Sequence, residues 1–261
     1  LSGLKIIIYF DYAGMLMSKI ALLFAMLFCI SAVTTASYAS EQTQQVVSNQ
    51  LKEQLLGSPV FIQIFKQERK LELYAKVGNE YRMIGDYNIC NFSGGLGPKR
   101  IEGDFKAPEG FYTIDSRNLQ PNSHYYRAIN IGFPNAYDQA QGYSGGMLMI
   151  HGDCRSIGCY AMTDSSIAEI YRFVSAALKN GQNAIKIHIY PFRMTPKNMQ
   201  LHHYSNYFTF WRQLEPGYRF FAEHHQPAAV GVVNGQYVIS SPMQMNNGAP
   251  VASQYALTQA K

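Results

Sequence analysis

Charge is scarce in this sequence. Asp, Glu, Lys and Arg make up 15% of its 261 residues, and no dense block of Lys and Arg occurs. That argues against nucleic acid as a main partner, because phosphate backbones are met by clustered cations. The net charge of +5 still suits a polyanionic substrate. Tryptophan occurs once, and no internal repeat or heptad pattern is present, which excludes solenoids and coiled coils. The four cysteines include no Cys-x-x-Cys knuckle, so no metal and no cofactor is expected. No serine sits in a nucleophile-elbow context, which leaves no Ser-His-Asp set.

Apolar residues, by contrast, make up 47% of the chain, with 19 Tyr and 15 Phe. This composition favours a strand-rich globular domain. Met17-Ser18-Lys19 leads into an apolar run from Ile20 to Val33, broken only by Ser31, and Ser37-Tyr38-Ala39 follows with the small-residue pattern that a signal peptidase cuts. The run is short for a bilayer span. Residues 1–39 are therefore expected to be an N-terminal extension plus export signal, with a periplasmic chain and no stable membrane span after cleavage. An uncleaved anchor is the alternative. Residues 40–56 read as a polar tether holding a short helix.

Alternation of Val60, Ile62 and Ile64, and then of Leu71, Leu73 and Ala75, predicts a hairpin, and Tyr81–Ile89, Phe111–Ile114 and Ile185–Ile189 predict further strands. Ile167, Ile170, Tyr171, Val174 and Ala177 share one helical face, with Ser166 and Glu169 as a capping box and Gly181 as the stop. A second helix is expected over Lys197–Leu214, ending before Pro216. Asn234-Gly235 turns a C-terminal hairpin. The fold class is α+β, with a helix beside a His/Cys loop.

That loop runs from His151 through Gly152, Asp153, Cys154, Arg155, Ser156, Ile157 and Gly158 to Cys159. A thiol becomes a nucleophile when a base takes its proton, and the oxyanion it creates needs backbone N–H donors. Cys159 is the candidate nucleophile and His151 its base. Without residues 1–39 and their Cys29, an odd number of cysteines remains: Cys90, Cys154 and Cys159. Cys90–Cys154 with Cys159 free fits the chemistry, while a Cys154–Cys159 bridge is the rival pairing. As an exposed thiol of low pKa, Cys159 would be sensitive to oxidation.

These residues, together with Pro108-Glu109-Gly110-Phe111-Tyr112, Asn130 to Asp138, Gly158-Cys159-Tyr160-Ala161 and His188 to Met194, resemble the L,D-transpeptidase (YkuD) family, and within it the YafK branch. The resemblance covers roughly residues 57–215 and implies a strand-rich β-sandwich catalytic domain there, with 216–261 as an extension holding a β-hairpin and a flexible tail. It implies that Cys159 attacks a carbonyl of a peptidoglycan stem peptide containing meso-diaminopimelate. The Gly152 carbonyl would orient His151, and the N–H groups of Gly158, Cys159 and Tyr160 would hold the oxyanion. The branch further implies an amidase that uses water to release a diaminopimelate-linked protein, a peptidoglycan-linked lipoprotein being the kind of partner. Transfer to an amine is the alternative, and an inert wall-binding module is the rival of another class.

The family pattern places a histidine before Gly-Cys and an arginine two residues after the cysteine, where this sequence has Ile157 and Ala161. Arg155 or Arg193 is expected to replace that arginine as carboxylate ligand, with Ser156 and Tyr137 along the substrate groove.

Overall fold

The structure is a computed structural model and describes residues 46–240. The expected export signal and the tail beyond residue 240 lie outside the described residues. The chain divides into two units, and all described residues belong to the second, Gln45–Lys261.

Strands β1 (Val60–Phe65), β2 (Lys70–Val77), β3 (Glu80–Asn88), β4 (Gly110–Ile114) and β9 (Ile185–Tyr190) form a five-stranded sheet of order β3-β2-β1-β9-β4. The β1–β2 hairpin pairs Phe65 with Lys70, as the alternation predicts. β1 is buried on both faces, as a central strand must be. Val60, Ile62 and Ile64 face the main core, while Phe61 and Phe65 pack in the aromatic layers that hold Phe221 and Trp211.

A second sheet of four strands has the order β5-β6-β7-β8: β5 (Leu119–Ser123), β6 (Tyr126–Asn130), β7 (Met149–His151) and β8 (Tyr160–Ala161). Ile129, Ile150 and Tyr160 share the main core with β1, β2, β4 and β9, so the two sheets close over one interior. The short β5 and β6, with few apolar residues facing inward, are strands that the sequence pattern does not show.

Three helices before the C-terminal region complete the main body: α1 (Asn49–Gln54), α2 (Ala136–Ala140) and α3 (Asp164–Lys179). Helix α3 buries the face read from the sequence, but its N-cap is Thr163, whose hydroxyl accepts from the Ser166 N–H. A Thr beside Asp164 competes better for that position than Ser166, which lies a turn inside. The segment read as a tether is docked: Val47 and Leu55 join the core, and Lys52 and Glu53 pair with Glu169 and Arg172 of α3.

The expected second helix is two: α4 (Pro196–Leu201) and α5 (Phe208–His224), and α5 runs straight through Pro216. Proline inside a helix costs about 3 kcal/mol. Burial of Phe210, Trp211, Leu214 and Phe221 offsets it, at about 1.5–3 kcal/mol for each large apolar side chain. The hairpin β10 (Ala229–Val233) and β11 (Gln236–Ser240) turns at Asn234-Gly235 as expected. No helix among the described residues is long and apolar enough to cross a membrane.

Candidate active site

His151 ends β7, and β8 begins one residue after Cys159. The two strands are parallel, with Ile150 opposite Tyr160 and His151 opposite Ala161. Cys159 lies in the bend that leads into β8, two residues before Ala161, the residue opposite His151.

The imidazole is held on both sides. Nδ1 lies 2.6 Å from the Gly152 carbonyl oxygen, which can only accept, so Nδ1 carries the proton and Nε2 keeps its lone pair. The Tyr125 ring packs against it at 4.7 Å. His151 is buried, and burial pushes its pKa below the ordinary value, the Gly152 bond and Asp153 opposing only in part.

Cys159 is the free cysteine among the described residues, and Cys90 and Cys154 are bonded. The thiol is half-buried rather than exposed. Burial raises its pKa, opposed by the Met149 backbone and by Lys99. The expected low-pKa thiol is therefore corrected: a dry site with one neighbouring cation favours S–H over S⁻. Sγ contacts the Met147 carbonyl oxygen at 3.9 Å.

Gly158 has φ +98°, a conformation that suits glycine, and turns the chain into Cys159. The Ser156 hydroxyl donates to the Cys159 carbonyl at 2.6 Å and braces this turn. The N–H groups of Gly158 and Cys159 precede β8 and can point at an oxyanion. Tyr160 differs: because the Met162 N–H bonds to the His151 carbonyl, the alternation of a parallel ladder commits the Tyr160 N–H to β7. Its hydroxyl donates to the Pro108 carbonyl at 2.6 Å.

The other expected substrate ligands are occupied elsewhere. Arg155 is bound to Asp153 through Nε and Nη2 and is exposed. Arg193 pairs with Glu72 and stacks on Phe65, on the sheet face away from the main core. Tyr137 is buried, stacked on Tyr237 at 4.4 Å, and packs as core. Arg193 and Tyr137 spend their groups on partners that the local sequence does not reveal, whereas Arg155 takes Asp153 of its own loop.

Gly152 is the orienting residue that the resemblance implies, and several further positioning residues around it escape sequence reasoning. Gly152 has no room for a side chain: a Cβ there would lie 2.5 Å from Asp164 Oδ1 and 2.9 Å from the Tyr125 carbonyl. Asp164 Oδ1 also accepts the Asp153 N–H at 2.9 Å, so the start of α3 anchors the His/Cys loop. Lys99 bonds Asp104 Oδ1 at 2.8 Å beside the thiol. Burial raises the Asp104 pKa, but the backbone N–H groups of Arg100, Lys106 and Ile101 and the Lys99 ammonium outweigh it and bring it down to about 2. Beneath this loop, Lys66 and Glu109 form a fully buried pair at 2.9 Å. Lys66 also donates to the Gly97 and Ala107 carbonyls, and Glu109 accepts from the Gly97 N–H and Trp211 Nε1. The spacing of Gly97-Pro98-Lys99 and Pro108-Glu109-Gly110 is the signal that could have located them.

The L,D-transpeptidase catalytic domain model (YkuD) matches residues 59–196. YafK of Escherichia coli strain K12, a protein provisionally named an L,D-transpeptidase, is 54% identical over 248 residues, 94% of this chain and 100% of that one, and YafK of Escherichia coli O157:H7 matches equally. Among solved structures, the helical cell shape determining protein Pgp2 from Campylobacter jejuni aligns with a TM-score of 0.43 at 18% identity, over 67% of this chain and 73% of its own. Bd1075 of Bdellovibrio bacteriovorus aligns with a TM-score of 0.38 at 18% identity, over 75% and 83%. A family match spanning His151 and Cys159, with a relative this similar end to end, means that the chain belongs to the L,D-transpeptidase (YkuD) family.

Proposed function

We propose that this protein is a periplasmic cysteine amidase of peptidoglycan, which hydrolyses the bond between a stem-peptide diaminopimelate carbonyl and the lysine amine of a linked protein such as a lipoprotein. The observation that carries this reading is a free Cys159 in the bend that enters β8, next to the end of β7 that holds His151, whose Nε2 lone pair the Gly152 contact leaves available.

His151 Nε2 takes the thiol proton as Sγ attacks the diaminopimelate carbonyl carbon, and the S–C bond forms. The Gly158 and Cys159 N–H groups hold the oxyanion. The C–N bond then breaks, and the imidazolium gives its proton to the leaving amine. His151 next deprotonates water, which attacks the thioester carbonyl. The S–C bond breaks, the sulfur regains a proton from His151, and a free carboxylate is released. The absence of a second histidine at Ile157 and of an arginine at Ala161 favours the amidase branch over cross-linking.

The test is to incubate the protein with sacculi carrying covalently linked protein and follow products by mass spectrometry. Free protein with an unmodified lysine is expected, and Cys159→Ala should abolish it. New peptide cross-links without released protein would instead identify a transpeptidase, and products unchanged in Cys159→Ala would refute the cysteine mechanism.

A further inference from the structure

The larger of two cavities described lies away from the thiol: a groove of about 740 Å³ between the β5–β6 hairpin and the exposed side of α3. Among the residues that line it, Arg127 is held between two rings, with Cζ 5.5 Å from the Tyr126 centroid and 5.4 Å from that of Tyr171. Its guanidinium pairs with no carboxylate among the described residues, whereas Arg172 in the same groove is bound to Glu53 and Glu169 is bound to Lys52. Lys179 adds an exposed cation. The groove thus offers a pre-oriented, unspent guanidinium fork, which matches a carboxylate through two parallel hydrogen bonds.

The groove and the catalytic pair share one turn. Tyr125 lies against the His151 ring, and the next residue, Tyr126, lies against Arg127. The Gly152 N–H bonds the Tyr125 carbonyl at 3.1 Å, so Tyr126 and Gly152 form the corner between the two sites. From β6 to β8 is about 10 Å, and four extended peptide residues reach about 13 Å.

Building on the reading above, we propose that this groove is a subsite for a carboxylate-bearing peptide, with Arg127 as its anchor, and that it seats the wall stem peptide while the scissile carbonyl lies at Cys159. It supplies the carboxylate ligand that Ala161 cannot, a role for which Arg155 and Arg193 are already paired.

The test is a titration of the full chain carrying Cys159→Ala with the free stem tetrapeptide, L-alanyl-γ-D-glutamyl-meso-diaminopimelyl-D-alanine, followed by backbone amide NMR. Shifts are expected at Tyr126, Arg127, Ser165 and Lys179 as well as at Gly158. Adding Arg127→Gln should weaken binding about tenfold or more, the scale of a lost charge-assisted pair. Arg127→Lys should recover part of it, and the tetrapeptide with amidated carboxyl groups should not move the groove. Should Arg127→Gln disturb the fold, the exposed Lys179→Glu still reads the same field and should weaken binding severalfold. Shifts at Gly158 without shifts in the groove would overturn the subsite and leave the amidase reading standing, and so would affinity unchanged in both variants. Shifts in the groove alone would support the subsite and count against the stem peptide reaching Cys159. Shifts at neither place would overturn the subsite.

Discussion

Burial acts on the two catalytic side chains in opposite directions, raising the Cys159 thiol and lowering the His151 imidazole, so both are neutral at pH 7. In the proposed reaction, general-base removal of a proton during attack then takes the place of a standing thiolate–imidazolium pair. His151 must be unprotonated to act, and its folded pKa lies below the ordinary 6.5. Activity should persist as pH falls through 6.5 and be lost only below it; a kcat/KM profile with its acid limb at or above 6.5 would sink this account. At Gly152, an added methyl group meets a carboxylate oxygen and a backbone carbonyl, so Gly152→Ala should cost about 1–3 kcal/mol of stability as overpacking. It should also lower kcat by displacing the carbonyl that fixes the imidazole; thermal melts and rates equal to wild type would contradict this. His151 and Cys159 were legible in sequence because their chemistry is local. The engagement of Arg193 with Glu72 was not, since it is set by a contact remote in sequence.

Among the elements, the loop from Gly97 to Ala107 owes its shape to charges beneath it. Lys66 and Glu109 are fully buried, each satisfied by the other and by the backbone at both ends of the loop. Removing one member strands the other, at a cost of about 3–5 kcal/mol, so Lys66→Met should lower the denaturation midpoint sharply. A variant as stable as wild type would show that Glu109 is held by Gly97 and Trp211 alone. Strands with strict alternation, and the amphipathic α3, were readable because one face meets the core. Helix α5 was not, because a local proline penalty was outweighed by aromatic burial that only the folded sheet provides. The short β5 and β6 leave no periodic signal, yet the turn between them carries Tyr125 and β6 begins with Tyr126 and Arg127.

At the scale of the molecule, the site is assembled from segments distant in sequence and tied together covalently. The Cys90–Cys154 bond, across a sequence separation of 64, fixes the His/Cys loop to the segment that follows β3, where the Cys90 N–H also bonds the Ala161 carbonyl. Closing a loop of that length is worth about 4 kcal/mol in the chain-entropy account. Reduction, or Cys90→Ser with Cys154→Ser, should lower stability by up to that amount and slow turnover while leaving Cys159 free to alkylate. Unchanged turnover in the double variant would show that backbone pairing alone holds the loop. The C-terminal hairpin also contributes: Tyr237 accepts from Asn135 Nδ2 at 2.8 Å, and Gln141 Nε2 donates to the Gly235 carbonyl at 2.7 Å, which binds α2 and the chain leading to Met147. The central claim is that Cys159 forms an acyl-enzyme. The most direct measurement is intact-protein mass spectrometry after acid quenching during turnover on a stem tripeptide whose diaminopimelate carboxyl is amide-linked to lysine, with peptide mapping of the adduct. The account predicts a thioester adduct of the diaminopimelyl peptide on Cys159, lost in Cys159→Ala together with all product. Product formation at the wild-type rate by Cys159→Ala, or an adduct mapped to another residue, would contradict it.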